Sequence, residues 1–415
     1  MEVKRNRYME MLINRKWNGS IKVVTGVRRC GKSYLLFNLF KDHLISEGVD
    51  PKNIVEVALD DIKNRHLRDP LALYEHIVAS VGNERCYVLL DEIQFVEGFE
   101  DLMNGLIRIK DIDVYVTGSN SKMLSKDVLT EFRGRGDEVR IHPFSFSEFV
   151  TAYPGREEEA WKLYRTFGGM PELLTRKDER QKIAYLQNLF KKVYLKDIKE
   201  RNEIRLENEL DLIVDFLCSS VGSLTNPLKL SNTLKSVGNS KMDNETACRY
   251  LEIIEESFLF ERSKRYDIRG KKYFDTPSKY YTADIGLRNA RLNFRQQDET
   301  HIMENIIYNE LRSRGFSVDV GVVETRSVKE NITEYKQLEI DFIANRGSQR
   351  YYVQSAYRMP DAEKEEQEVR PFLKVKDSFK KIIVVGDDIY LKRDGNGVVT
   401  MGIRQFLTDE NSLDL

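Results

Sequence analysis

Apolar and polar positions in residues 1–150 alternate between two rhythms. Short β-branched and aliphatic runs near 21–25, 53–59, 86–90, 113–117 and 138–141 have the near-continuous hydrophobicity of strands covered on both faces, and helical spacing fills the stretches between them. That alternation predicts an α/β fold with a five-stranded parallel sheet and helices on both sides. From about 156 to 215 helical periodicity takes over. It is broken at Gly168-Gly169-Met170-Pro171-Glu172, where two glycines and a proline mark a sharp turn between helices, of a kind that suits a moving lid.

Between about 205 and 290 the pattern predicts a helix-turn-helix followed by a wing. A short helix begins at Leu228, Gly238 punctuates the turn, and Asp243 or Asn244 caps a helix with the apolar stripe Ala247, Leu251, Ile254 and Phe258. The hairpin-like segment from Arg262 to Tyr273 carries six basic residues. The stripe helix exposes Asp243, Glu245, Glu252, Glu255 and Glu256 against one cation, Arg249, so it is a poor reader of a polyanion. The wing residues Lys264, Arg265, Arg269, Lys271 and Lys272, with Tyr266 and Tyr273, are the better DNA-contact candidates. The tail opens with a helix from His301 to Arg314. Strands follow at 316–323, 338–344 and 351–356, then a charged helix from Asp361 to about Leu373 and a strand at 382–385, making a small mixed α/β domain.

Composition narrows the setting. Lys+Arg 66 against Asp+Glu 67 leaves a net charge of −1 over 415 residues, so contact with nucleic acid has to be local. Four cysteines without a C-x-x-C pair argue against a disulfide frame or zinc site and suit a reducing cytoplasm. A charged N-terminus without an apolar core behind it points away from secretion, and no run approaches the roughly 18 apolar residues of a membrane span.

The candidate chemistry is concentrated at the strand ends. Gly26-Val27-Arg28-Arg29-Cys30-Gly31-Lys32-Ser33 is a G-x-x-x-x-G-K-[ST] loop between a strand and a helix. Its backbone amides suit phosphate oxygens, Lys32 places a charge on the β/γ-phosphates, and Ser33 is placed for Mg²⁺. Cys30 reads as a small filler. The run Cys86–Leu90 ends in Asp91-Glu92, a metal-holding carboxylate followed by a base that can polarise water, a pair better suited to hydrolysis than to transfer. After the strand at 113–117, Ser119 and Asn120 are candidates to sense a γ-phosphate, and Arg133 or Arg135 could reach it in the same or a neighbouring subunit.

Together these motifs, with Leu89-Leu90-Asp91-Glu92-Ile93-Gln94, Thr117-Gly118-Ser119-Asn120-Ser121, Gly134-Arg135 and Gly168-Gly169-Met170-Pro171, resemble a prokaryotic family of AAA+-like P-loop ATPases. That family carries a C-terminal domain of unknown function resembling the restriction-endonuclease fold. The resemblance covers essentially the whole chain. It implies an ATPase domain over 1–150, a helical lid plus winged helix over 151–290, and a nuclease-like domain over 291–415. It implies ATP binding and hydrolysis at Lys32, Ser33, Asp91 and Glu92, with Mg²⁺ at Ser33 and Asp91, a sensor at Asn120 and a nucleotide-responsive arginine at Arg135. In the tail, Glu304 and Asp341 match nuclease carboxylates. The motif Asp…Glu-x-Lys is met by Asp341…Gln354-x-Ala356, a degenerate form whose lysine could have migrated to Lys364. The leading expectation is an ATP-driven switch acting on DNA. The alternatives are an ATP-regulated Mg²⁺-dependent nuclease and a signalling ATPase that binds a protein partner or further copies of itself.

Overall fold

The computed structural model describes residues 3–82, 84–118, 136–202, 204–238, 242–296, 298–329 and 332–415. It divides into two compact units, 1–143 with 256–258, and 144–255 with 259–415. Among the described residues no helix is long and apolar enough to cross a membrane.

The first unit is built on the expected parallel sheet. Its strands are β1 (Ile21–Thr25), β2 (Ile54–Ala58), β3 (Cys86–Asp91), β4 (Ile112–Thr117) and β5 (Gly136–Arg140), in the order β2-β3-β4-β1-β5. Every pairing is parallel, so all five strands end on one edge. Val88 and Leu90 join a core with Val23, Val57, Leu73, Ile77, Leu102 and Val116. On the other side of the pleat, Phe40 packs its ring 4.7 Å from Tyr115. Covering both faces is what makes β1 and β3 read as unbroken apolar runs. At the far end of β1 the Lys22 ammonium, wholly buried, is paired with Asp113, which also accepts from Tyr115 Oη at 3.0 Å.

The second unit carries a larger mixed sheet. Its strands are β6 (Phe260–Asp267), β7 (Lys272–Thr282), β8 (Ser317–Lys329), β9 (Ile332–Arg346), β10 (Gln349–Ala356), β11 (Lys380–Val385), β12 (Lys392–Arg393) and β13 (Val399–Gly402), ordered β12-β13-β11-β10-β9-β8-β6-β7. Phe342 and Ile343 are neighbours on β9 and therefore face opposite sides. Phe342 lies among Tyr281 and Tyr308, whose rings stack at 4.1 Å. Ile343 lies with Tyr352, Val369 and Phe372. Three helices, Glu207–Ser219, Pro227–Gly238 and Asn244–Glu256, precede β6. Asp243 provides the cap, accepting from the Thr246 amide at 2.8 Å, and Ala247, Leu251 and Ile254 are buried as the stripe predicts. The basic hairpin predicted as a wing is formed by β6 and β7 and continues the large sheet, with β6 running parallel to β8.

The Gly168–Pro171 turn is tied down. Gly169 donates its N–H to the carboxylate of Asp284 at 2.7 Å, and Asp284 also caps the helix Ile285–Arg291 through Leu287 at 3.0 Å. A Cβ on Gly286 would lie 1.8 Å from the carbonyl oxygen of Phe167, and one on Gly169 2.2 Å from that of Phe144. Burial pushes the Asp284 carboxyl up to about 6 from an ordinary 3.8, against backbone amides that pull it down. The folded state therefore holds this proton more tightly than the unfolded chain. The associated stability is full below about pH 4 and is lost as pH rises through about 6, a change of roughly 3 kcal/mol. In urea unfolding, the stability of the wild type relative to Asp284→Asn is expected to fall by about that amount between pH 4 and pH 7. A gap independent of pH would show that Asp284 does not titrate in this range.

Candidate functional site: the phosphate loop and the ends of β3 and β4

The loop after β1 has the conformation its glycines permit. Gly26 has φ 141°, and a Cβ there would lie 2.1 Å from the carbonyl oxygen of Ile141; Gly31, at φ 101°, precedes the helical turn at Lys32. Side chains at these two positions would respectively collide with the backbone or strain it. Cys30 is buried with its Sγ 3.7 Å from the Ile141 carbonyl oxygen, the small filler its size suggests. Arg5 braces the loop from outside the motif, donating to the carbonyl oxygens of His142 at 2.6 Å and Cys30 at 3.4 Å. Lys32 is buried and folds across the loop, its Nζ donating to the carbonyl oxygens of Gly26 at 3.0 Å and Val27 at 3.1 Å.

The second half of the site comes from strand order. With β4 between β1 and β3, Thr117 ends beside Asp91. Its hydroxyl donates to the Asp91 carboxylate and accepts from the Glu92 N–H at 2.9 Å. Asp91 is 4% exposed. Burial pushes its carboxyl up from the ordinary value; hydrogen bonds from Thr117 and Ser33 oppose this, and the charges of Glu92 and Asp60 add to it. A carboxylate in that position gains from a nearby cation. Ser33 is exposed while bonded to Asp91, so the pair fits Mg²⁺. Glu92 is half-buried at φ 54°, and its carboxylate accepts from the Gln94 side-chain amide. The turn after β3 thus separates the two acids, one pinned beside the loop and the other held by its own turn.

Gly26 to Ser33, Asp91 and Glu92 thus sit on the same strand-end edge of the sheet. Ser119, Asn120, Arg133 and Arg135 lie outside the described residues. Sequence reasoning assigned no role to Thr117 and Gln94, which stood in the motifs, and missed Arg5. Thr117 read as the last residue of a strand, and only the insertion of β4 between β1 and β3 gives it a role.

In the second unit, Glu304, Asp341 and Gln354 do come together, around a residue that sequence reasoning did not select. The ammonium of Lys279 lies 2.8 Å from Glu304, 2.8 Å from Glu339 and 3.6 Å from Asp341. Tyr281 donates to Glu304 at 2.7 Å, and the Ser355 N–H donates to Asp341 at 2.8 Å. Gln354 turns its amide oxygen to the backbone N–H of Asp341 at 3.3 Å. Lys364, the candidate migrated lysine, instead pairs with Glu368 one turn along its own helix at 2.5 Å.

In the basic hairpin, two of the five candidate cations are engaged within the unit. Arg265 donates to the Gln337 side chain at 2.7 Å and lies over the Phe274 ring, while Arg269 donates to the carbonyl oxygens of Glu324 at 2.9 Å and Lys374 at 3.1 Å. These two guanidinium groups brace neighbouring strands and a helix end. Lys264, Lys271 and Lys272 are exposed.

Residues 18–150 match the family model described as an AAA domain, and residues 158–298 match a domain of unknown function (DUF8612). A Haemophilus influenzae protein named "Uncharacterized protein" is 35% identical over 391 residues, 92% of this chain and 93% of that one. The Methanocaldococcus jannaschii protein "Uncharacterized protein MJ1544" is 29% identical over 396 residues, 90% of this chain and 83% of that one. Among solved structures, the Aeropyrum pernix ORC1 protein in complex with DNA aligns with a TM-score of 0.33 and 14% identity, over 71% of this chain and 93% of that one. At 35% identity over nearly the full length of both chains, the chain belongs to one family with the Haemophilus protein, and its residues 18–150, which carry the phosphate loop and the buried aspartate beside it, form an AAA domain of P-loop AAA+-like type.

Proposed function

We propose that this protein is an ATP-hydrolysing switch that couples nucleotide state to its C-terminal unit, and that it acts on DNA. The observation that carries the reading is the Thr117 hydroxyl bridging Asp91 and the backbone of Glu92 beside Ser33. In this reading the loop amides and Lys32 hold the phosphates, Lys32 exchanging its contacts to Gly26 and Val27 for phosphate oxygens. Ser33 and Asp91 would hold Mg²⁺, which would supply charge neutralisation on the phosphates. Glu92, released from Gln94, orients and deprotonates the attacking water. Asn120 senses the γ-phosphate and Arg135 responds to it, as the resemblance implies.

DNA contact rests on the hairpin β6–β7, where Lys264, Lys271 and Lys272 are exposed. Because Arg265 and Arg269 are engaged within the unit, a protein partner is the second reading. Hydrolysis measured with and without single- and double-stranded DNA distinguishes them. Stimulation by DNA that fades steeply with salt supports the first, and hydrolysis indifferent to DNA supports the second.

Lys32→Ala is expected to weaken ATP binding roughly 10- to 100-fold, the worth of charge-assisted contacts of about 1.5–3 kcal/mol. Glu92→Gln is expected to keep ATP binding and lose about 10²- to 10⁴-fold in kcat. Equilibrium binding and steady-state turnover check both, and unchanged turnover in Glu92→Gln removes Glu92 from the mechanism. For DNA, Lys271→Glu with Lys272→Glu is expected to weaken binding across sequences and reduce the salt slope by about 2. An unchanged slope would take these lysines out of the interface.

A further inference from the structure

The C-terminal unit holds an acidic site with its own cation. The resemblance to the restriction-endonuclease fold implies a divalent metal between carboxylates, with a lysine standing off to orient water. The residues present do not fit that group. Oxygens of Glu304, Glu339 and Asp341 converge from the helix Glu299–Ser313 and from β9, and the point on which they converge is the Nζ of Lys279. Lys279 is 4% exposed, Glu304 6% and Asp341 8%. A divalent ion requires oxygens at about 2.0–2.6 Å, so it would have to take the ammonium's place or lie against it, cation to cation, in a poorly solvated pocket. The second position of the nuclease motif supplies no ligand, because Gln354 is turned to the Asp341 backbone. Among the described residues, no three acidic, histidine or cysteine side chains are grouped so that they could hold a metal ion.

Local backbone irregularities create this arrangement. Asp341 lies where β9 slips register against β8, two of its residues opposing Val320, a bulge that re-aims a side chain. Lys279 follows a second irregularity, where β7 loops out against β6 between the pairs Ser263–Lys279 and Arg265–Phe274. Close approach completes the enclosure: a Cβ on Gly222, at φ 73°, would lie 3.2 Å from both carboxylate oxygens of Glu304. The carboxylates have further donors of their own, Tyr281 for Glu304 and the Ser355 N–H for Asp341.

The geometry points to Lys279 as the resident cation of this site: its ammonium stands where the fold's divalent metal would, ties β7, β9 and the helix Glu299–Ser313 together, and excludes metal-dependent cleavage. Removing the ammonium frees the three carboxylates to draw together about a divalent cation, a grouping they do not have while Lys279 stands between them. This inference is independent of the ATPase reading, because the two sites share no residue.

The test is Mn²⁺ uptake by the nucleotide-free full-length chain, followed by electron paramagnetic resonance. Wild type and Asp341→Asn are expected to take up the same amount. Lys279→Met is expected to take up one further Mn²⁺ per chain, at least tenfold tighter than any wild-type site, and to lose it when Asp341→Asn is added. Mn²⁺ uptake by the wild type that Asp341→Asn abolishes overturns the inference, as does a folded Lys279→Met with no added uptake. Should Lys279→Met be too unstable to purify without metal, Mn²⁺ is expected to raise its melting temperature, since a ligand of the folded state stabilises it. If that variant never folds, the comparison of wild type with Asp341→Asn decides alone: equal uptake sustains the inference and Asp341-dependent uptake refutes it.

Discussion

The first unit depends on a single constraint: five strands running the same way. Parallel pairing brings the carboxyl ends of β1, β3 and β4 to one edge, where no strand residue follows to satisfy the last side chains. Those side chains must find partners among the loops that leave the sheet. Thr25 leads into the phosphate loop, Asp91 is covered, and Thr117 bridges to it. A carboxylate buried in this way is costly unless hydrogen bonds or a cation offset it. The hydroxyls of Thr117 and Ser33 offset part of that cost, which leaves Asp91 suited to a cation.

The second unit solves a comparable problem with different chemistry. Three carboxylates converge under a sheet and helix, and an ammonium from the chain itself stands at their centre. Burying charge requires both a close opposite charge and hydrogen bonds for the remaining lone pairs, and Lys279, Tyr281 and the Ser355 amide provide them. Arg314 shows the same solution elsewhere in the unit. It is nearly buried, paired with Glu310 at 2.7 Å and donating to the carbonyl oxygen of Phe406 at 2.6 Å. Asp284, a buried acid that accepts from backbone amides, shows what burial costs: its carboxyl is pushed up although those amides pull it down.

Local signals were legible wherever one element carried the whole message. The β1 run, the G-x-x-x-x-G-K-S loop and the Asp91-Glu92 pair are each contiguous, so the loop and the acid pair were readable from residue type and spacing. The helix stripe Ala247, Leu251 and Ile254 was equally plain, because burial in a helix repeats every three to four residues. The charge of the hairpin was readable too, but the fate of each charge was not. Arg265 and Arg269 reach Gln337, Glu324 and Lys374, residues far along the chain that adjoin them only because β6 pairs with β8.

By itself, then, the sequence determined the elements of the first unit's sheet, the alternation that makes that sheet parallel, and the phosphate-loop and acid-pair motifs, because period, glycine placement and motif spacing are properties of short segments. Tertiary structure alone decided which strand lies between which, and so that Thr117 serves Asp91. It also decided that the lysine of the acidic site is Lys279 and not Lys364. The physical reason is that a buried charge is matched by whatever opposite charge packing brings within about 3–4 Å. Strand order and two register slips set that proximity, and neither leaves a mark on the local pattern of residues.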